Sequence, residues 1–316
     1  MKVFVAGASG ALGAQLVPQL VAADHQVVAM TRTASKQDRL RALGARPVVA
    51  DALDRDAVAG VVGEAEPEVI VHQLTALSGT VDLRHPDRFF AATNRLRIEA
   101  TDNLLAAGRA VGARRFVAQS FAAWRWARTG GPVQTEADPL DPNPPVAALR
   151  TVLAAILHLE RAVTTIEWGE GLVLRYGNFY GPGTAIGSAP DAVMTALIRK
   201  RRFPVVGDGG GVWSHIHIED AAAATAAAVE HGQPGIYNVV DDAPAPVREW
   251  LPALASALDA KPPRRIPRWL GRLAAGEMAT VMMTDVRGAS NVKAKRELGW
   301  QLRYPNWRLG FTKGLG

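Results

Sequence analysis

Residues 1–13, Met1-Lys-Val-Phe-Val-Ala-Gly7-Ala-Ser-Gly10-Ala-Leu-Gly13, decide the fold. Lys2–Ala6 is a short apolar run rich in β-branched and aromatic residues, which predicts a strand. Ala14–Ala23 predicts a helix. Strand, tight glycine turn and helix N-terminus together make a site for an anionic pyrophosphate, because free backbone N–H groups and the positive end of the helix dipole point at the ligand. One glycine makes the turn, one lets backbone approach phosphate, and one lets helix pack on strand. Gly7, Ser9, Gly10, Ala11, Leu12 and Gly13 are the expected contact residues. A bare βα turn is the alternative, and the strand–helix alternation that follows weighs against it.

The chain has 316 residues, 48% hydrophobic and 21% charged, which suits a soluble α/β protein with a sizeable core. No apolar run approaches the about 18 residues that span a bilayer. Met1 leads directly into a strand, so a cytoplasmic protein without membrane attachment is expected. With no cysteine, thiolate nucleophiles, disulfides and cysteine–zinc sites are excluded. The net charge of +6 is scattered apart from Arg199-Lys-Arg-Arg202, and no nucleic-acid-binding signature accompanies it.

Gln26–Met30 predicts a second strand ending in Thr31-Arg32-Thr33. In dinucleotide folds an acid there accepts from the ribose 2′-hydroxyl, whereas arginine suits a 2′-phosphate. Arg32 occupies the place, with Lys36 and Arg39 beyond, which favours NADP over NAD. A third strand, Arg46–Ala50, runs into Asp51-Ala52-Leu53-Asp54, where Asp51 is a candidate acceptor from adenine and Asp54 an N-cap. A fourth strand, Glu68–His72, leads into Gln73 and Leu74 at the end that lines the crevice of a doubly wound sheet. A long helix over Arg88–Gly112 carries Asn94, and a fifth strand, Arg115–Gln119, ends at Ser120. A helix over Thr151–Thr165 and a sixth strand, Gly171–Arg175, follow. The expected fold is a Rossmann-type doubly wound parallel sheet over 1–175, with a smaller mixed α/β lobe for substrate over 176–316, the two interleaved. Gly235–Val240, Val247–Leu258 and Trp269–Ala275 are expected in that lobe.

Taken together, Gly7/Gly10/Gly13, Asp51, Asn94 with Thr101-Asp-Asn103, Leu174-Arg-Tyr-Gly-Asn-Phe-Tyr-Gly-Pro-Gly183, His215-Ile-His-Ile-Glu-Asp220, Ile236-Tyr-Asn238 and Glu297-Leu-Gly-Trp300 resemble the extended short-chain dehydrogenase/reductase family, the NAD-dependent epimerases and dehydratases. The resemblance covers nearly the whole chain. It implies an N-terminal Rossmann domain, a nicotinamide dinucleotide, a small-molecule substrate and, often, a homodimer.

The family's proton relay is a tyrosine with a lysine four residues on, assisted by a serine after the fifth strand. Four residues after Tyr176, Tyr180, Tyr237 and Tyr304 stand Tyr180, Thr184, Asp241 and Arg308, so no such pair exists here. Aligned on Glu160, Val152 and Ile156 occupy the two places. Ser120 is present, and the place one on, where Phe121 stands, is the alternative position for the active hydroxyl. Candidates for acid or base are therefore Ser120, Tyr176, Tyr180 and His72, each with a packing role as the alternative. Trp124, Trp126, Trp213 and Phe179 are candidates for an apolar substrate pocket. His215, His217 and Asp220 have metal-like spacing, but the matching family segment is structural, and no metal is expected. The expected function is an NADP-dependent oxidoreductase, or an epimerase or dehydratase working through hydride transfer, on a small carbonyl or hydroxyl compound. The alternative is an NADP-binding sensor without turnover.

Overall fold

The computed structural model describes residues 1–316 except 78–81, 83, 124, 125, 128, 142 and 145, and the side chain of residue 148. Strands β1 (Lys2–Ala6), β2 (Gln26–Thr31), β3 (Arg46–Val49), β4 (Val69–His72), β5 (Arg115–Phe121), β6 (Glu170–Tyr176) and β7 (Gly235–Val239) form one sheet in the order β7-β6-β5-β4-β1-β2-β3. Every pairing in it is parallel. The chain leaves β1 in one direction through β2 and β3, then resumes on the other side at β4. That reversal opens a crevice at the carboxyl ends of β1 and β4.

Alternation along each strand feeds two cores. Val3, Val5, Val69, Val71, Leu172 and Leu174 face one side, under α1 (Ala11–Ala22) and, later in the chain, Ile218–Glu230. Phe4, Ile70, Phe116, Ala118 and Val173 face the other, under α2 (Arg55–Ala65), α3 (Pro86–Arg95), α4 (Thr101–Ala110) and α5 (Ala147–Thr164). Apolar residues on both faces are what a sheet covered on both sides requires. Asp54 caps α2 as its sequence position predicts, accepting from the N–H groups of Asp56 and Ala57.

Two expectations are corrected. Gly235–Val239 belongs to the main sheet, where Tyr237 and Val239 pair with Leu174 and Tyr176 at its edge. Tyr237 and Val239 point into one core while Ile236 packs against the other, so the segment buries both faces only as a strand of the large sheet. The alanine-rich helix α6 (Ile218–Glu230) likewise lies on that sheet, its small side chains packing with Leu16 and Leu20 of α1. Both segments pack on the main sheet, in keeping with two interleaved lobes. Second, the helix expected over Arg88–Gly112 is interrupted by a π-helical turn, Leu96–Ala100. The remaining lobe has its own core of Tyr180, Trp213, Trp250, Leu251, Trp307 and Phe311, which α7 (Arg268–Thr284) borders through Met283.

Candidate active site

The glycine turn has the shape of a phosphate cradle. Gly7 sits at φ 92°, and a Cβ there would stand 2.6 Å from the carbonyl oxygen of Gln73. A Cβ on Gly13 would stand 2.3 Å from the Ala8 carbonyl, so only glycine lets α1 seat against the strand. Gly10 is different: its backbone is ordinary and extended, and its nearest neighbour would be 3.4 Å away. That glycine leaves open space in front of the helix. Gly10 is the N-cap of α1 and no side chain caps the helix, which has no acid in its first turn. Uncapped N–H groups beside an open glycine fit a dinucleotide pyrophosphate.

At the end of β2, the Thr31 hydroxyl meets Ser9 Oγ at 3.3 Å, tying the strand to the turn. Arg32 follows, exposed. Asp51 is exposed and its Oδ1 accepts from the Leu53 N–H at 3.0 Å, fixing the turn Asp51-Ala52-Leu53. Asn103 Nδ2 donates to the Ala52 carbonyl, which holds the same turn from α4. Gln73 is bonded through its N–H to the Ala6 carbonyl, and Gln119 donates to the Leu74 carbonyl, so β1, β4 and β5 end at one place. Asn94 is buried and accepts from Arg97 Nη1 at 3.1 Å, next to the π-helical turn.

The four candidate acid–base residues are not brought together. His72 is fully buried; its Nδ1 accepts from the Leu74 N–H and its Nε2 donates to Thr101 Oγ1 at 3.1 Å. Burial holds that imidazole down to about 4, so it is neutral. Tyr176 is the last residue of β6 rather than a loop residue, and points to the α6 face. Its hydroxyl lies 2.7 Å from Thr225 Oγ1 and accepts from Gln73 Nε2, and burial pushes its pKa up. Tyr180 ends a short strand and lies in the core of the smaller lobe, between His217 and Phe311, with its pKa also raised by burial. A tyrosine that has lost water this way is a poor proton donor without a cation beside it.

Ser120 lies on the opposite face of the sheet from Tyr176. Its hydroxyl donates to Glu160 Oε1 at 2.6 Å, and Glu160 takes both Nε (3.0 Å) and Nη2 (2.8 Å) of Arg175. Both charged side chains are buried, and Ser120 and Arg175 are register partners on β5 and β6. Sequence reasoning used Glu160 only as a marker. An arginine inside the apolar run Leu172–Tyr176 was the available signal for a buried ion pair.

Val152 and Ile156, expected at the relay's two places, lie one turn apart on α5. They are fully buried with Phe90 of α3, Leu149 and Met278 of α7, and Phe89, Val146 and Met282 pack around them. This cluster is wholly apolar. Phe179 packs on Tyr176, Trp213 sits in the core of the smaller lobe, and Trp126 packs with Ala122, Val240 and Ala289. Trp124 lies outside the described residues. His217 bonds the Gly314 carbonyl and caps α6, while Asp220 accepts from the N–H groups of Arg303 and Tyr304. Those contacts are structural, and among the described residues no three His, Asp or Glu side chains stand close enough to hold a metal.

The model of the NAD dependent epimerase/dehydratase family matches residues 3–239. A Streptomyces protein, 3-diazoavenalumate denitrifying reductase, is 44% identical over 99% of this chain and 100% of its own length. The Thermus thermophilus UDP-glucose 4-epimerase, solved with NAD, superposes with a TM-score of 0.72 at 22% identity, covering 100% of this chain and 98% of that one. The human epimerase family protein SDR39U1, solved with NADPH, gives 0.75 at 17% identity, covering 100% and 99%. No helix among the described residues is long and apolar enough to cross a membrane.

Proposed function

Because the chain belongs to the NAD-dependent epimerase/dehydratase family, and is an NAD(P)-dependent enzyme of oxidoreductase or epimerase type, we propose that it is an NADPH-dependent reductase that passes hydride to a cationic aromatic electrophile of the diazonium class. The observation that carries the proposal is the hydrocarbon wall of Val152 and Ile156. An epimerase or ketoreductase must move a proton on or off a substrate oxygen in step with hydride, and needs an acid–base group at that wall. An arenediazonium cation needs none. It takes the hydride, its aryl C–N bond breaks, dinitrogen leaves and a C–H bond stands in its place, so atoms and charge balance without a donated proton. The relative 44% identical to this chain is named for such a denitrifying reduction.

Each residue has a part. Gly7, Gly10 and Gly13, with the N–H groups of Ala11 and Leu12, hold the pyrophosphate; Ser9 and Thr31 fix the turn. Arg32 pairs with a 2′-phosphate, which makes the cofactor NADP rather than NAD. Asp51, Ala52 and Leu53 flank the adenine, and Gln73, Leu74 and Asn94 lie toward the nicotinamide, which supplies hydride when bound. Phe90, Val152, Ile156 and Met278, packed on one another and closed to water, offer no acid or base to a bound ring. His72, Tyr176 and Tyr180 hold the framework, and Ser120 acts through Glu160 and Arg175. An ammonium at position 156 would repel a diazonium; an isoleucine does not.

The test is anaerobic turnover of an arenediazonium salt with NADPH, scoring nicotinamide oxidised, dinitrogen released and arene formed. Equal amounts of all three support the proposal. Oxidation of NADPH by ketones but not by the diazonium would overturn it.

A further inference from the structure

Helix α7 is two helices. Gly276, at φ 88° and ψ 171°, breaks it after Ala275. The halves are held in different ways. Beyond the break, Met278 packs in the Val152–Ile156 wall, Met282 touches both that wall and the core of the smaller lobe, and Trp213 Nε1 donates to the Met282 carbonyl at 2.7 Å. That half is anchored by burial.

The first half, Arg268–Ala275, is held at the surface, where Arg268 Nη2 donates to Asp285 Oδ2 at 2.6 Å and Arg272 Nη2 reaches Glu277 Oε2 at 3.4 Å. Gly271 lies flat against Val206, where a Cβ would meet Cγ1 at 2.4 Å, and Trp269 and Leu273 turn outward, 68% and 73% exposed. Its last carbonyls are the ones a helix leaves without partners. Arg84 satisfies them: Nε donates to the Ala274 carbonyl at 2.8 Å, and Nη2 to those of Leu273 (3.2 Å) and Ala274. A cation there also suits the negative end of the helix dipole. Arg84 stands just before α3, on the segment that leaves the carboxyl end of β4, so this cap comes from the main sheet's side of the crevice. One guanidinium thus joins the segment before α3 to the first half of α7, while Phe90 of α3 and Met278 of α7 share one apolar cluster with Val152 and Ile156.

We propose that Arg268–Ala275 is a cover, hinged at Gly276 and latched by Arg84, that closes the substrate end of the crevice over the Phe90–Val152–Ile156–Met278 wall. Opening needs the Arg84 contacts, the Arg268–Asp285 pair and the Arg272–Glu277 pair across the glycine to part, Gly271 to lift from Val206, and the backbone to turn at a glycine already outside helical geometry, while Met278 stays seated. What is covered rests on the function proposed above; the motion itself does not.

Hydrogen exchange on the full chain without ligand tests the motion. In Arg84→Ala, amides over 268–275 exchange about three- to tenfold faster than in the wild type, the size of one or two lost hydrogen bonds. Amides over 277–284 and in the central sheet stay unchanged. Arg84→Lys, with one charged donor and no fork, falls between. Unchanged exchange over 268–275 in Arg84→Ala would overturn the latch. Stopped-flow nicotinamide fluorescence then tests the gate: Arg84→Ala speeds both binding and release of NADPH. Faster exchange with unaltered NADPH rates would overturn the role as a cover. A chain that binds NADPH through this gate yet reduces no diazonium refutes only the proposed reaction.

Discussion

Substituting two neighbouring glycines separates the fold from the ligand. In Gly7→Ala the new methyl meets the Gln73 carbonyl oxygen at 2.6 Å and its carbon at 2.7 Å, on a backbone held at φ 92°. Gln73 cannot easily withdraw, since its N–H is bonded to the Ala6 carbonyl at 2.8 Å. Left-handed strain costs an L residue roughly 1–2 kcal/mol, and displacing the end of β4 adds about as much again. The expected loss of stability is therefore roughly 2–4 kcal/mol, read as a fall in denaturant midpoint. NADPH affinity, titrated by nicotinamide fluorescence, falls about tenfold or more, because the turn and the crevice edge move together. Gly10→Ala is the counterpart. Its methyl has nothing nearer than the Gly7 carbonyl oxygen at 3.4 Å and its φ is −80°, so stability holds. The methyl instead fills the space in front of α1, and NADPH binding weakens by a similar factor. A Gly10→Ala protein that binds NADPH like the wild type would refute the placement of the pyrophosphate. A Gly7→Ala protein of unchanged stability would refute the packing reasoning.

Three further substitutions have defined outcomes. As the proposed partner of the 2′-phosphate, the exposed Arg32 should matter to one cofactor only: Arg32→Ala is expected to weaken NADPH about tenfold and leave NADH unchanged in parallel titrations. Glu160→Ala strands the buried Arg175 guanidinium and lowers stability by about 3–5 kcal/mol in chemical denaturation; stability within 1 kcal/mol of the wild type would show that the pair is dispensable. Asp241 is buried with one carboxylate oxygen unpartnered, and burial raises its pKa from 3.8 to about 7. Its folded state keeps the proton that the unfolded chain loses near pH 4, so this contribution to stability is full below about 4 and is lost as pH rises through about 7. Asp241→Asn should therefore match the wild type at low pH and exceed it by roughly 4 kcal/mol above pH 7, measured by melting across that range; parallel curves would contradict the shift.

The sheet was legible because each strand is buried on both faces and so reads as a short continuous apolar run. Phe4 against Val3 and Val5, or Val173 against Leu172 and Leu174, leaves no other way to bury the run. The glycine turn was legible because its residue type is dictated by contacts with the Gln73 and Ala8 backbones. Strand β7 was assigned to the wrong body because local pattern says how a segment is buried, not against which neighbour. The π-helical turn at Leu96–Ala100 carries no Pro or Gly and left no mark in the sequence. For the site, the sequence places Val152 and Ile156 on one helix but carries no sign of their tertiary neighbours. Phe90 and Met278, about 190 positions apart, complete that wall only through the tertiary fold. The hydroxyls of Ser120 and Tyr176 end neighbouring strands, yet they point to opposite faces of the sheet.

The central claim, hydride delivery without a proton relay, meets its most direct test in single-turnover oxidation of bound NADPH by an arenediazonium salt, in H2O and in D2O. Hydride transfer against the Val152–Ile156 wall involves no exchangeable proton, so the nicotinamide absorbance should decay at the same rate in both solvents. A slower decay in D2O would place a proton in the rate-determining step and contradict the account.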